Sequence, residues 1–178
     1  MQWVVRSSDH GATWTAPQRA NLASGTPEEA TYGSSLASGI ALRSGPHAGR
    51  LLVALRHDCC EKVGGSFVMY SDDGGASWVA GQKMVLLPQY GGGWTECQVA
   101  ELSNGSVLLT SRNTFAPSSG QGPRLMARSD DGGATWVANW TAYDLPDPYC
   151  EASMLSDAQG GLFLGNPSHP SRRLNFSV

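Results

Sequence analysis

Ser71-Asp72-Asp73-Gly74-Gly75-Ala76-Ser77-Trp78 is the middle one of three copies of one pattern, Ser-x-Asp-x-Gly-x-Ser/Thr-Trp, in this 178-residue chain. The other two copies are Ser7-Ser8-Asp9-His10-Gly11-Ala12-Thr13-Trp14 and Ser129-Asp130-Asp131-Gly132-Gly133-Ala134-Thr135-Trp136. Successive copies start 64 and 58 residues apart, a spacing that suits one four-stranded propeller blade with a long loop. The recurrence therefore predicts a repeat architecture.

Each copy also predicts a hairpin turn. The Asp carboxylate can accept backbone N–H groups further along the turn, the Gly supplies a positive φ, and the Trp starts the return strand and packs under the turn. We therefore expect the residues at the fixed positions to be structural: Ser7, Asp9, Gly11, Trp14, Ser71, Asp73, Gly75, Trp78, Ser129, Asp131, Gly133 and Trp136.

Apolar segments around the three copies predict the remaining strands. Labelled A to D within each unit, the strands place every copy of the pattern between C and D, and the chain then holds two, four, four and three strands in successive units. The predicted fold is all-β, a partial β-propeller of four-stranded antiparallel blades. The predicted A, B and C strands are Trp3–Arg6, Gly39–Arg43, Arg50–Arg56, Ser66–Tyr70, Glu96–Leu102, Ser106–Ser111, Arg124–Arg128, Cys150–Leu155, Gly161–Gly165 and Arg173–Val178.

Composition excludes several classes of protein. The net charge of −3 argues against nucleic acid as a partner, and the longest apolar run, Leu51–Leu55, is too short to be a transmembrane segment. Nothing at the N-terminus resembles a signal peptide.

The four cysteines form no Cys-x-x-Cys pair, so the sequence is compatible both with disulfides and with free thiols. A metal site of His57 with the adjacent cysteines would be crowded. We expect no metal; the cysteines are Cys59, Cys60, Cys97 and Cys150.

The repeated octapeptide resembles the Asp box of sialidases, or neuraminidases, whose catalytic domain is a six-bladed propeller with the boxes on the rim, away from the active site. The segment Trp94–Asn113 looks like a second family motif, with its Glu-Cys-Gln start and closing Arg-Asn. The resemblance implies that Glu96 polarises the catalytic tyrosine. It also implies that Arg112 is the second of three arginines that bind the substrate carboxylate.

The segment Asn166–Val178 is similar to a stretch of lysosomal-type animal sialidases that carries the third arginine. Arg173 matches that arginine, with Arg172 as the alternative one position earlier. The segment Pro148–Ser153 also resembles the preceding strand of the family, with Glu151 where Gln is commoner.

Three further family residues have no matching position in this chain: the first arginine, the acid/base Asp and the nucleophilic Tyr. The resemblance therefore implies that residues 1–178 are the central portion of a catalytic propeller, about half of a six-bladed ring truncated at both ends. We expect this portion alone to be inactive.

The chemistry of sialic acid explains why these residue types matter. Its carboxylate suits planar, bidentate guanidinium groups better than ammonium groups. A neutral tyrosine is a weak nucleophile, and an adjacent carboxylate can take its proton without adding a second anion beside the substrate. The simpler alternatives are a salt bridge at the rim for Arg112 and a strand-terminal charge in water for Glu96.

The sequence thus predicts part of an exo-α-sialidase that hydrolyses terminal sialic acid from glycoproteins, oligosaccharides and gangliosides without a cofactor. Its partner is a sialylated glycan, and the resemblance implies a lysosomal or secreted location. The alternatives are a non-catalytic Asp-box propeller that binds carbohydrate or protein, and a truncated product with no activity of its own. By analogy with Arg112, the segment Arg56–Lys62 is expected to border the mouth of the pocket.

Overall fold

The computed structural model describes residues 3–23, 32–34, 38–57, 65–85, 93–113 and 122–178. These residues form β-strands, turns and one 3-10 helix, Gly45–His47. The strands are β1 Trp3–Val4, β2 Gln18–Arg19, β3 Tyr32–Ser34, β4 Ile40–Ala41, β5 Leu51–His57, β6 Gly65–Ser71, β7 Val79–Ala80, β8 Met84–Val85, β9 Trp94–Glu101, β10 Val107–Asn113, β11 Gly122–Ser129, β12 Ala138–Asp147, β13 Ser153–Ser156, β14 Leu162–Pro167 and β15 Phe176–Ser177.

The strands form four successive antiparallel sheets, which confirms the predicted fold class. The first sheet pairs β1 with β2, the third runs β9-β10-β11-β12, and the fourth runs β13-β14-β15. In the second sheet β5 and β6 are continuous, whereas β3 and β4 both pair with β5, and β7 and β8 both pair with β6. The inner strand of this sheet thus consists of β3 and β4, and its outer strand consists of β7 and β8. The segment Tyr32–Ser34 was not predicted from the sequence.

The register of the third sheet separates its two ends. Val107 pairs with Glu101 on one side and with Ser129, the first residue of the third box, on the other. At the far end of the sheet Ser111 pairs with Cys97. Glu96 and Arg112, the neighbours of that pair, therefore lie at the end of the sheet opposite the Asp box.

All three boxes form the predicted hairpin connections, between β1 and β2, β6 and β7, and β11 and β12. In each box the Ser hydroxyl donates to the Asp carboxylate at 2.7–2.8 Å and accepts the N–H of the box Gly at 2.7–2.8 Å. The glycines have φ of +86°, +86° and +87°, where a Cβ would strain the backbone. The return strand begins one to four residues after the Trp rather than at it, as at Val79 after Trp78.

The same hydrogen bonds act on the ionisation of the box carboxylates. The hydroxyl and backbone N–H of Thr13, together with Ser7, lower the pKa of Asp9 to about 2. Ser77 has the corresponding effect on the pKa of Asp73, which is also lowered. The carboxylates therefore stay charged through mildly acidic conditions and keep the turns closed.

Arginine side chains connect neighbouring boxes along one rim. Arg6 donates to the carbonyl oxygen of Gly75 in the second box. Arg50 forms an ion pair with Asp72 of the second box, at 2.7 Å, and also donates to the carbonyl oxygens of Asp131 and Gly132 in the third. The first sheet is thus linked to the second, and the second to the third.

Apolar side chains fill the spaces between adjacent sheets. The largest cluster joins the second and third sheets and includes Leu52, Val68, Val99 and Leu109. A second cluster around Met126 and Met154 joins the third and fourth sheets, together with Ala100, Leu108 and Ala142. Because the third sheet packs on both the second and the fourth, these three sheets are held side by side as propeller blades.

The Ser129→Ala substitution tests how much one box contributes to stability. Ser129 is fully buried, and its hydroxyl holds both Asp131 and the N–H of Gly133. Its removal leaves a buried N–H without its partner, which should lower the free energy of unfolding by about 1–3 kcal/mol in urea titrations. The control is Ser8→Ala, at an exposed variable position of the first box. Equal stability of the two variants would contradict this account of the box.

Candidate functional site

An acidic side chain and two arginines meet at the end of the third sheet opposite the Asp box. Glu96, on β9, receives a hydrogen bond from Nη1 of Arg112 at 2.8 Å, with the two side chains 13% and 16% exposed. Nη1 of Arg56, on β5 of the neighbouring sheet, lies 3.6 Å from the other oxygen of the same carboxylate. Glu96 is therefore a mostly buried carboxylate between two cations, and not a strand-terminal charge in open water.

Arg112 has further contacts that fix its guanidinium group. Its Cζ atom lies 3.9 Å from the centroid of the Tyr149 ring, a cation–π arrangement. Its Nε is buried and has no hydrogen-bond partner among the described residues. Burial alone would lower the pKa of Arg112, but the hydrogen bond and the charge of Glu96 outweigh it and raise that pKa. The guanidinium is thus firmly cationic.

Arg173 reaches the same place from the fourth sheet. Its Nη2 donates to the backbone oxygen of Tyr149 at 2.8 Å, and its side chain is exposed. The preceding loop is folded by His169, whose Nδ1 accepts the backbone N–H groups of Ser171 and Arg172. Tyr149 therefore contacts both Arg112 and Arg173. Glu96 is connected to this group by its hydrogen bond with Arg112.

A buried ion pair supports the turn that carries Tyr149. Arg124, on β11, and Asp147, at the end of β12, are 1% and 0% exposed and approach to 3.5 Å. Asp147 accepts the N–H of Cys150 at 2.8 Å, and Arg124 donates to the carbonyl oxygen of Cys150 at 3.0 Å. Arg124 also bonds the side chain of Asn166 on β14. Burial lowers the pKa of Arg124, and the charge of Asp147 opposes that effect.

Glu151 brings a second carboxyl group into the electrostatic field of this cluster. Burial raises its pKa, the charge of Glu96 raises it further, and the charges of Arg124, Arg56 and Arg112 only partly offset both effects. Glu151 is thus easier to protonate in the folded chain than in the unfolded chain.

The Glu151→Gln substitution should therefore stabilise the chain at neutral pH. Because the pKa is raised on folding, the ionised carboxylate costs stability above the unfolded pKa, and this cost disappears where both states are protonated. We expect a gain in the free energy of unfolding below about 1 kcal/mol near pH 7 and none near about pH 3. The measurement is urea unfolding at both pH values. The same gain at both would contradict the electrostatic explanation.

Several residues of this cluster were not predicted from the sequence. Tyr149, Arg124 and Asp147 carry no local signal for their contacts, whereas Arg56 could be anticipated from its position at the end of a B strand, equivalent to that of Arg112. Residues 58–62, with Cys59 and Cys60, lie outside the described residues, as does the side chain of His57.

Within the described ranges, no group of three or more His, Cys, Asp or Glu side chains is arranged to hold a metal ion. The same part of the chain contains no helix that is long and apolar enough to cross a membrane.

Antiparallel sheets packed side by side, with Asp boxes at one end and clustered arginines at the other, define a partial β-propeller of the Asp-box class. The chain belongs to the BNR repeat-like domain family, whose sequence profile matches residues 1–178. It is 38% identical over 157 residues to a sialidase of Micromonospora viridifaciens, an alignment that covers 85% of this chain and 22% of that protein.

Solved structures show the same fold. A leech intramolecular trans-sialidase matches with a TM-score of 0.73 and 24% identity, over 98% of this chain and 25% of that one. A Hadza microbial sialidase matches with a TM-score of 0.72 and 22% identity, over 94% and 32%. An intramolecular trans-sialidase from Ruminococcus gnavus matches with a TM-score of 0.69 and 25% identity, over 93% and 33%. The chain thus spans about a fifth of the curated relative and a quarter to a third of these structures.

Proposed function

We propose that this chain provides part of the active site of an exo-α-sialidase, in which Arg112 and Arg173 bind the carboxylate of sialic acid and Glu96 activates the nucleophile. The observation that carries the proposal is the shared contact of both arginines with Tyr149, on the side of the third sheet opposite its Asp box. The 38% identity to the Micromonospora sialidase supports the choice of a sialidase.

The charges of the cluster suit an anionic sugar. The guanidinium groups of Arg56 and Arg112 contact Glu96, and that of Arg173 contacts Tyr149, on which Arg112 also lies, so a bound carboxylate would meet several cationic side chains. The exposed guanidinium of Arg173 and the fixed guanidinium of Arg112 are donors of the kind that bind carboxylates bidentately. A non-catalytic propeller requires the Asp-box turns and the apolar core, but it does not require this group of arginines.

In this proposal Glu96 acts as a base and not as the nucleophile. Its carboxylate is held between Arg112 and Arg56, which fixes its direction. A carboxylate in this position can accept the proton of a tyrosine hydroxyl as the oxygen attacks the anomeric carbon.

We propose that residues 1–178 are the central portion of a six-bladed catalytic propeller. We further propose that the enzyme is of the lysosomal animal type, acts on glycoproteins, oligosaccharides and gangliosides, and works in the lysosome or outside the cell. The segment Asn166–Val178, with its Pro-bounded His169 loop before Arg173, supports the choice of type.

Hydrolysis of a fluorogenic sialoside tests the proposal, on this chain and on the longest chain that its gene encodes. We expect negligible turnover by this chain, because no residue in it matches the family's nucleophile or acid. In the longer chain Glu96→Gln should lower kcat by about a hundredfold or more. Turnover that is indifferent to Glu96→Gln would contradict the role of Glu96, and turnover by residues 1–178 would show a complete site within them.

A further inference from the structure

Tyr149 is the residue that the two proposed substrate-binding arginines have in common. Its ring lies under the guanidinium of Arg112, with 3.9 Å from Cζ to the ring centroid, and its carbonyl oxygen accepts Nη2 of Arg173 at 2.8 Å. The two arginines come from strand β10 and from the loop before β15, which are 61 positions apart in the chain. One residue therefore links two side chains that the sequence separates widely.

The backbone of Tyr149 is held in a conformation that is unfavourable for tyrosine. Its φ is +60°, in the left-handed region that Gly and Asn adopt more readily. The next residue is fixed from both sides, because Asp147 accepts its N–H and Arg124 donates to its carbonyl oxygen. The buried ion pair thus imposes this conformation on the turn, and strain of this kind persists where surrounding structure determines it.

We propose that Tyr149 is a positioning residue that sets the distance and relative orientation of Arg112 and Arg173 toward a carboxylate ligand. This inference rests on the proposed function, since it takes the ligand of the two arginines to be a sugar carboxylate. The ring covers one face of the Arg112 guanidinium and so leaves its edge as the direction from which an anion is bound. The carbonyl oxygen holds Arg173, which is otherwise exposed, beside it.

The substitution Tyr149→Asn distinguishes the contribution of the Tyr149 ring from that of its backbone carbonyl group. Asn tolerates a positive φ, so the turn and the carbonyl contact of Arg173 should remain while the ring is lost. Tyr149→Phe keeps the ring and serves as the conservative variant. Tyr143→Asn is the matched control, because Tyr143 is 83% exposed on β12.

The first measurement is the NMR signal of the Arg112 Nε–Hε group in the free chain, which requires no ligand. A guanidinium stacked on an aromatic ring is shifted upfield by the ring current, so the shift should be present in the wild type, Tyr149→Phe and Tyr143→Asn and absent in Tyr149→Asn. An unshifted Arg112 signal in the wild type would overturn the proposal, even if the chain binds sialic acid.

The second measurement is the dissociation constant of N-acetylneuraminic acid, obtained by NMR titration of each variant and of Arg112→Ala with and without Tyr149→Asn. We expect Tyr149→Asn to weaken binding about fivefold to tenfold, Tyr149→Phe to restore it, and Tyr149→Asn to have no further effect once Arg112 is removed. Independent effects of the two substitutions would show that the ring acts other than through Arg112, and would overturn the positioning role. Absence of binding by the wild type would refute the proposed function, while the ring-current shift would still decide where Tyr149 places Arg112.

Discussion

Asp147→Ala should lower the free energy of unfolding by about 3–5 kcal/mol, the largest stability effect that we expect from a single substitution in this chain. Asp147 is completely buried. Its carboxylate pairs with Arg124 and accepts the backbone N–H groups of Cys150 and Asn113. Its removal leaves the buried guanidinium of Arg124 without its counter-charge and two backbone N–H groups without their acceptor. The measurement is the urea midpoint of unfolding.

Two controls make this prediction specific. Asp144→Ala changes an exposed carboxylate on the same strand and should alter stability little. The double substitution Arg124→Met with Asp147→Ala also removes the buried cation that Asp147→Ala leaves unpaired. It should recover part of the lost free energy of unfolding. A double variant that is less stable than Asp147→Ala alone would contradict the view that the uncompensated charge of Arg124 dominates.

Arg112→Ala should have the largest effect on ligand binding. The substitution removes a charge-assisted donor and the contact that fixes Glu96, and hydrogen bonds to charged groups contribute enough to weaken carboxylate binding about 10- to 100-fold. The measurement is the dissociation constant of N-acetylneuraminic acid. Arg128→Ala, at an exposed arginine that pairs with Asp130 of the third box, is the matched control. An equal loss in both variants would indicate a non-specific effect of charge.

The fold could be predicted from the sequence because its strongest signals are local. Each Asp box is closed by hydrogen bonds between residues two to four positions apart, as between Asp73 and Ser77, so the pattern alone specifies the turn. Apolar strands at constant positions around the boxes then gave the order of strands in each sheet. The division of the second sheet's inner strand into Tyr32–Ser34 and Ile40–Ala41 had no such signal, since it depends on pairing with β5.

The residues of the candidate site likewise include some that local motifs predict and some that they do not. Glu96, Arg112 and Arg173 were found by family resemblance, because each sits in a recognisable motif. Arg124 and Asp147 were missed because they are partners across 23 positions, one within a predicted strand and the other between two prolines. Nothing in the pattern indicates that either side chain is buried, and a positive φ at Tyr149 cannot be read from a residue type that rarely adopts it.

The central claim, that Arg112 and Arg173 form a carboxylate-binding pair, is tested most directly by titrating this chain with N-acetylneuraminic acid and with its carboxyl methyl ester. The ester has the same sugar but no negative charge, so only the carboxylate differs. The account predicts that the acid shifts the NMR signals of the Arg112 and Arg173 guanidinium groups saturably, and that the ester at equal concentration leaves them unchanged. Equal shifts with acid and ester, or no shift of these two arginines with the acid, would contradict it.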